Sequence, residues 1–215
     1  MSLDTKLLLA FIRAQGAFLS GEQLAEDMGL SRVSVHKHLE GLRKDGFQFN
    51  AIRNKGYQLA GEPERLHPAL VEALLADEPC PFFRSHLVLD EVDSTNSRAE
   101  SELSAGRETP FFVTADTQTA GRGRRGRVWH SPRHRNIYLS IALHPSLPPG
   151  RLQTITLWMG LRMCQYLRDT YKLPVLVKWP NDLMLHGRKI AGMLTEARVD
   201  AESTRDLVFG MGLNV

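Results

Sequence analysis

The run Gly121-Arg122-Gly123-Arg124-Arg125-Gly126-Arg127-Val128-Trp129 decides how this chain is read. Its glycines satisfy the G-x-G-x-x-G spacing of a dinucleotide-binding loop, but that reading requires a helix to open directly afterwards. Arg127-Val128-Trp129-His130-Ser131-Pro132 follows instead and is not a helix start, so the dinucleotide fingerprint is rejected. Four arginines in seven residues repel one another and cannot all be paired locally. The interleaved glycines let the backbone approach a ligand closely. Together these properties describe a flexible cationic flap that orders around an anion. A plain basic surface loop and a nucleic-acid-binding loop remain as alternatives from these residues alone.

Outward from the flap, the pattern is one of alternating strands and helices. Leu87 to Val92 reads as a strand, and Asp93-Ser94-Thr95-Asn96 offers capping groups for a helix reaching Ala105, with Gly106 past its end. Phe111 to Ala115 and Ile137 to Leu143 read as strands on either side of the flap. Leu152 to Tyr171 reads as a long helix with Ile155, Met159, Met163 and Leu167 inward. Val175 to Trp179 is a further strand. Leu183-Met184-Leu185 and Ile190 to Leu194 flank a hairpin turn at His186-Gly187-Arg188, and Leu207 to Val215 is the last strand. The expected architecture is a mixed α+β sheet with helices on one side.

Two more segments carry chemistry. Lys178-Trp179-Pro180-Asn181-Asp182 puts a lysine, an amide and a carboxylate at a strand end, and Arg188-Lys189-Ile190-Ala191-Gly192 puts a lysine where a strand restarts after a turn. Taken singly, Lys178 or Lys189 is an ordinary surface cation and Asp182 an ordinary turn residue. Together with the flap, they form a much stronger signal.

The first 60 residues read as a separate helical module. Leu8, Phe11 and Ile12 form an apolar stripe. Ser20 with Gln23 has the capping-box spacing before Leu24, Ala25 and Met28, and Gly29 ends that helix. Ser31 caps a third helix with Val35, Leu39 and Leu42 inward, and Arg32, Ser34, His36, Lys37, Arg43 and Lys44 outward. Phe47-Gln48-Phe49, a turn at Asn54-Lys55-Gly56, and Tyr57 to Leu59 form a β-hairpin wing. Ser31 to Gln58 holds six Lys/Arg against two acids. That balance suits a helix in the DNA major groove with phosphate contacts from the wing, through Arg32, Ser34, His36, Lys37 and Lys55. A solvated helix face and a protein-interaction module are the alternatives. Ala60 to Arg65 reads as a linker, and Pro79-Cys80-Pro81 as a further break.

Bulk properties narrow the class. The chain has 215 residues, 42% hydrophobic and 24% charged, which suits a soluble globular protein of one or two domains. A net charge of +3 proves no nucleic-acid partner, so the local distribution must decide. Cys80 and Cys164 stand far apart, which fits a reducing cytoplasm and neither a disulfide scaffold nor a zinc site. No apolar run is long enough to span a membrane, and no secretory signal is visible.

Ser94-Thr95-Asn96, Gln118, Gly121 to Trp129, Lys178 to Asp182, Arg188 to Gly192 and Gly210-Met211-Gly212-Leu213-Asn214 resemble, in order and spacing, the biotin protein ligases. Ser20 to Leu24 and Asn54 to Tyr57 resemble the winged helix of the bifunctional bacterial class that also represses biotin synthesis genes. The resemblance covers nearly the whole chain. It implies a winged helix-turn-helix DNA-binding domain over residues 1–65. A mixed-sheet, class II synthetase-like catalytic domain would follow over residues 66–215. Members of the class continue beyond the Gly-x-Asn strand, so the resemblance implies that the C-terminal portion is lacking.

The resemblance also implies roles. Ser94, Thr95, Asn96 and Gln118 would line the biotin pocket, and Arg122, Gly123 and Arg124 would close over biotin and its adenylate. Lys189 would hold the biotin carboxylate and the α-phosphate. Gly121, Arg124, Trp129, Asn181, Lys189 and Asn214 would face the nucleotide. Asp182 would stand near magnesium or the incoming amine, and no protein metal site is expected. The implied activity is ATP-dependent conversion of biotin to biotinyl-5′-AMP and transfer to a lysine of the biotin carboxyl carrier protein. Biotin-responsive repression at operator DNA would accompany it, by a homodimer formed when liganded. An alternative is a DNA-binding biotin sensor with lost or weak ligation. Lipoate and octanoyl transferases share the core fold but lack the arginine-glycine run.

Those assignments agree with the chemistry. A carboxylate attacking the α-phosphorus of ATP brings two anions together, and cations must offset both their repulsion and the growing phosphoryl charge. An acyl-adenylate is destroyed by water, so a closing flap protects it.

Overall fold

The computed structural model describes residues 1–78, 80–145, 147–200 and 204–215. Pro79, part of the second break in the sequence, lies outside the described residues. The chain forms two compact units, Met1–Cys80 and Pro81–Val215.

The first unit contains α1 (Leu3–Arg13), α2 (Gly21–Met28), α3 (Arg32–Lys44), β1 (Gln48–Ile52), β2 (Gly56–Gly61) and α4 (Pro68–Asp77). Serines begin the first three helices: the hydroxyls of Ser2, Ser20 and Ser31 accept from the backbone N–H of Thr5, Glu22 and Ser34. The reciprocal half of the expected capping box is not made, because Gln23 Nε2 donates to Asp27 Oδ1 at 3.0 Å. Gly29 ends α2 in the left-handed region at φ 67°, where a side chain would be strained. β1 and β2 pair antiparallel as the wing.

Leu7, Leu8, Phe11, Leu24, Val35 and Leu39 form the centre of this unit's core, and Leu70 and Ala73 of α4 join it. The unit therefore ends at Cys80, later than the linker at 60–65 suggests. The physical reason is that α4 buries Ala69, Leu70 and Ala73. Two contacts fix it to α1: Thr5 Oγ1 donates to Glu72 at 2.8 Å, and Arg13 Nε to Asp77 at 3.0 Å.

The second unit contains β3 (Ser85–Val92), α5 (Thr95–Ser104), β4 (Phe111–Gln118), β5 (Asn136–Leu143), α6 (Leu152–Tyr171), β6 (Leu176–Lys178), β7 (Asp182–Leu185), β8 (Arg188–Val199) and β9 (Thr204–Asn214). The strands form one seven-stranded sheet in the order β3-β4-β5-β9-β8-β7-β6. β3 and β4 are parallel and every other pair is antiparallel.

Side chains alternate between the faces of a strand, and β9 shows what covers each face. Leu207, Phe209, Met211 and Leu213 pack with Cys164 and Leu167 of α6. Val208 packs with Ala99 and Leu103 of α5. The two helices therefore lie on opposite faces, which corrects the expectation of helices on one side. β9 is apolar or glycine without a break from Leu207 to Leu213, and such a run needs cover on both faces.

Candidate functional site

The same alternation builds the site. On the α5 face of the sheet, β9 presents Val208, then Gly210 and Gly212, while neighbouring β8 presents Gly192 opposite Gly212. Three glycines thus remove side chains from the middle of one sheet face and leave a cleft of about 450 Å³ of empty space out to its open mouth. Trp129 lies across part of this floor. A Cβ on Gly192 would come within 2.8 Å of its Cζ3, and one on Gly212 within 2.8 Å of its Cζ2. Lys189 Nζ sits 5.0 Å from the Trp129 ring centroid, a cation-π distance.

The N-terminus of α5 forms the polar wall. Ser94, Thr95 and Asn96 are all buried. Ser94 is the N-cap, but its hydroxyl makes no capping bond; instead its own N–H donates to Asp93 Oδ1 at 2.7 Å. Gln118, at the end of β4, accepts from Thr95 N at 2.8 Å and from Thr95 Oγ1 at 3.1 Å. Its amide nitrogen donates to Ser131 Oγ at 2.9 Å, so the Gln118 side chain is held in one orientation.

Asn96 is more committed than the resemblance implies. Its Nδ2 donates to Glu196 Oε2 at 2.7 Å and to Leu194 O at 3.4 Å. Ser140 Oγ lies 2.6 Å from Asn96 Oδ1 and 2.8 Å from Thr95 Oγ1, with one proton to donate between them. When that proton goes to Asn96, one lone pair on its Oδ1 remains for a ligand.

The arginine-glycine run is a small hairpin. Arg122 bridges Val128, Gly123 N donates to Arg127 O at 2.7 Å, and Trp129 N donates to Gly121 O at 2.8 Å. Arg125 occupies the turn at φ 58°. Gly121 is required for closeness, since a Cβ there would stand 2.7 Å from Ser131 Oγ. Arg122 reaches Glu196 at 2.9 Å and Glu100 at 3.5 Å. Arg124 donates to Asn181 Oδ1 at 3.2 Å. Among the described residues Arg125 and Arg127 make no ion pair.

Downstream of the hairpin, Thr117 Oγ1 donates to Ser131 O at 2.6 Å, and Tyr138 OH donates to Pro132 O at 3.0 Å. Burial pushes the Tyr138 phenol above its ordinary pKa, so it stays a neutral donor at this anchor.

Asn181 is tied to the frame: its Nδ2 donates to Met193 O at 2.7 Å, and Met193 N donates to its carbonyl at 2.9 Å. Asp182 does not line the cleft, yet its Oδ1 lies 2.7 Å from Lys189 Nζ. Asn214 lies in an adjoining hollow with Trp129 and Lys189, and its Nδ2 is 3.5 Å from Lys189 O. The structure therefore gathers Ser94, Thr95, Asn96, Gln118, Arg122 to Arg124, Trp129, Asn181 and Lys189 around one cleft. Glu196, Ser140 and Ser131 escaped the sequence reading. Ser140, a polar residue on the inward face of an apolar strand, carried the only local signal.

In the first unit, Arg32 and Lys55 line a hollow between the start of α3 and the wing. His36 and Lys37 are exposed on α3, and Ser34 is half-buried. His36 Nδ1 is 3.4 Å from Tyr57 OH of β2. Arg43 does not point outward as expected. It pairs with Glu40 and donates to Phe49 O at 3.1 Å, tying α3 to β1. Among the described residues Arg32, Lys37, Lys44, Arg53 and Lys55 make no ion pair, so this face keeps its positive charge.

The geometry has counterparts in known proteins. The profile of the Biotin/lipoate A/B protein ligase family matches residues 88–214, and that of the HTH domain matches residues 5–58. The Bifunctional ligase/repressor BirA of Bacillus subtilis is 34% identical over 216 residues, covering 100% of this chain and 65% of that protein. The Escherichia coli protein of the same name is 36% identical, covering 97% of this chain and 63% of its own length. This chain thus spans just under two thirds of these relatives.

Among solved structures, the biotin protein ligase from Aquifex aeolicus in complex with biotin and ATP is 33% identical. It has a TM-score of 0.50 and covers 62% of this chain and 53% of its own. The Leishmania major enzyme in complex with biotin is 29% identical with a TM-score of 0.52, covering 63% of this chain and 57% of its own. With its glycine-floored cleft, arginine hairpin and strand-borne lysine all inside the matched segment, the chain belongs to the Biotin/lipoate A/B protein ligase family and carries a helix-turn-helix domain ahead of it.

Proposed function

We propose that this chain joins biotin to ATP, forming biotinyl-5′-AMP and pyrophosphate, and passes the biotinyl group to a lysine of the biotin carboxyl carrier protein. The observation that carries this reading is the convergence of Arg122, Arg124 and Lys189 on a cleft walled by Ser94, Thr95 and Gln118. Polar groups in the lining suit a neutral ureido ring, and cations in the same lining suit a carboxylate and an α-phosphate. The biotin and ATP bound in the Aquifex aeolicus neighbour support the same pairing.

In the first half-reaction Lys189 and Arg124 would offset the charge of the two approaching anions. Gly121, Trp129, Asn181 and Asn214 would surround the nucleotide. Arg122 and Gly123 of the hairpin would close over the adenylate and exclude water. In the second half-reaction the acceptor lysine must lose a proton, and Asp182 is the carboxylate we assign to assist. Magnesium would accompany ATP. Among the described residues no group of three or more His, Cys, Asp or Glu side chains could hold a metal. Magnesium at nucleotide sites is bound largely by phosphate oxygens with one or two carboxylates, and Asp182 is the carboxylate we assign to stand near it.

The first unit would bind operator DNA through Arg32, Ser34, His36, Lys37 and Lys55, which makes the protein a biotin-responsive repressor. The two relatives named as bifunctional ligase/repressors support this. One winged helix reads one half-site, so a homodimer formed in the liganded state is inferred. We assign the protein to the cytoplasm. No described helix is long and apolar enough to cross a membrane.

Incubation with biotin, MgATP and an acceptor carrier domain tests the reading: a biotinylated carrier and stoichiometric pyrophosphate are expected. Biotin-dependent operator binding without any biotinylated carrier would overturn ligation and leave a biotin sensor.

A further inference from the structure

Three hollows meet around the hairpin. The central cleft holds the groups assigned to biotin. A second hollow shares Trp129 and Lys189 with it and extends to Arg135, Asn136 and Asn214. A third lies elsewhere on the cleft, sharing Arg124, Asn181, Met193 and Leu194, and is completed by Leu152, Thr156, Trp179 and Pro180. Ligation brings three reactants together: biotin, the nucleotide and the acceptor lysine. With biotin in the first hollow, the nucleoside in the second and the phosphates at the shared edge by Arg124 and Asn181, the rest of the third hollow is open to the acceptor. We infer that the hollow at Trp179 is the docking point of the acceptor domain, with Trp179 as its anchor; this rests on the ligase reading above.

The lining suits that occupant. Trp179 is 74% exposed, which leaves a large aromatic surface unburied at the rim. Tryptophan is the residue type most enriched among those that dominate binding energy at interfaces. Leu152, Pro180 and Met193 supply apolar walls, which suit the four-carbon stem of a lysine and apolar side chains beside it. Arg124 and Asn181 stand where the third hollow opens into the first. The lysine nitrogen would travel past them to the activated carbonyl. There it forms the amide bond, the carbonyl carbon's bond to the phosphate oxygen breaks, AMP leaves with the electron pair, and the amine proton passes to solvent with the Asp182 carboxylate assigned above assisting.

Charge defines the partner further. Arg125 and Arg127 on the hairpin and Lys178 beside Trp179 are exposed, and among the described residues none makes an ion pair. Arg124 in the hollow and Lys178 next to Trp179 in the chain give the apolar centre cationic neighbours, which fit a small acidic domain that presents its lysine on an exposed turn.

The test separates the half-reactions. Adenylate formation is read by biotin-dependent pyrophosphate release with hydroxylamine as the trapping nucleophile, and transfer by biotinylation at varied carrier concentration. Trp179→Ala should raise KM for the carrier by roughly tenfold or more, the size typical of an anchor residue. Turnover with hydroxylamine should stay at the wild-type rate, and Trp179→Phe should recover most of the carrier affinity.

An unchanged carrier KM overturns the inference. So does a parallel fall with hydroxylamine, which would assign Trp179 to adenylation. A shift in sedimentation toward monomer with carrier KM intact also overturns it, because a second copy then occupies the hollow. A wild-type protein that forms no adenylate overturns the ligase reading together with this inference. A working ligase indifferent to Trp179 overturns this inference alone.

Discussion

Lys189 Nζ lies 2.7 Å from Asp182 Oδ1 on the adjacent strand, so the cation that faces the cleft is held from behind by a carboxylate. The pair belongs to the β7–β8 hairpin, whose register slips between Leu183 and Met184, and whose turn residues His186 and Gly187 both have positive φ. The Trp129 ring limits the same ammonium on another side. A cation restrained in this way needs little reorganisation when charge develops beside it.

Lys189→Ala should therefore cost about 2–4 kcal/mol of transition-state stabilisation in adenylate formation. Biotin-dependent pyrophosphate release measures it directly. A wild-type rate would remove Lys189 from the chemistry.

Gly210→Ala tests the closeness of the cleft floor. A Cβ there would overlap Asn96 Oδ1 and stand 2.8 Å from Asn96 Cγ. Asn96 cannot withdraw, since Ser140, Glu196 and Leu194 hold it. Overpacking of this kind costs roughly 1–3 kcal/mol. The variant should lose stability in denaturant and bind biotin more weakly by calorimetry. Gly150→Ala, where no atom lies within 4 Å of the added carbon, should change stability by less than about 0.5 kcal/mol.

Much of this was legible in the sequence, for physical reasons. α6 was readable because its apolar residues repeat at helical spacing, and it spans Leu152–Tyr171 as expected. The turn at His186-Gly187 was readable because glycine marks a left-handed backbone. What could not be read was pairing at a distance. Asn96 and Glu196 are 100 positions apart, and they meet only because α5 packs on the face of β9, the strand next to β8. α4 joined the first unit through tertiary packing on α1, for which its own apolar pattern gave no direction.

Acid stability should depend on Glu102. Its carboxylate receives Arg107 Nε at 2.7 Å and Arg98 Nη2 at 2.7 Å. The Arg107 hydrogen bond is the main cause holding its pKa below the ordinary carboxylate value. Burial opposes that shift and Arg98 adds to it. A depressed folded pKa means that the contribution is fully present above the unfolded value and is lost as pH falls through the folded one. Glu102→Gln should therefore be less stable than wild type at neutral pH, and the two denaturation curves should converge in acid. A gap of constant size down to the lowest pH would show that the ion pairs do not contribute.

The exposed face of α3 makes a different kind of prediction, because phosphate binding reveals itself through salt. Arg32 and Lys37 are exposed and make no ion pair among the described residues. Each is thus free to displace a counterion from a duplex. Arg32→Ala or Lys37→Ala should weaken operator binding and lower the slope of log K against log salt by about one for each phosphate left unneutralised. Carrier biotinylation, measured on the same preparations, reports whether the second unit is intact. Because the slope counts released ions, it separates a missing cation from a misfolded helix: misfolding abolishes binding, whereas a missing cation leaves binding with a shallower slope. If both variants bind the operator with the wild-type slope, α3 is not the helix that enters the groove. The cations of the wing, Arg53 and Lys55, would then have to carry the interaction.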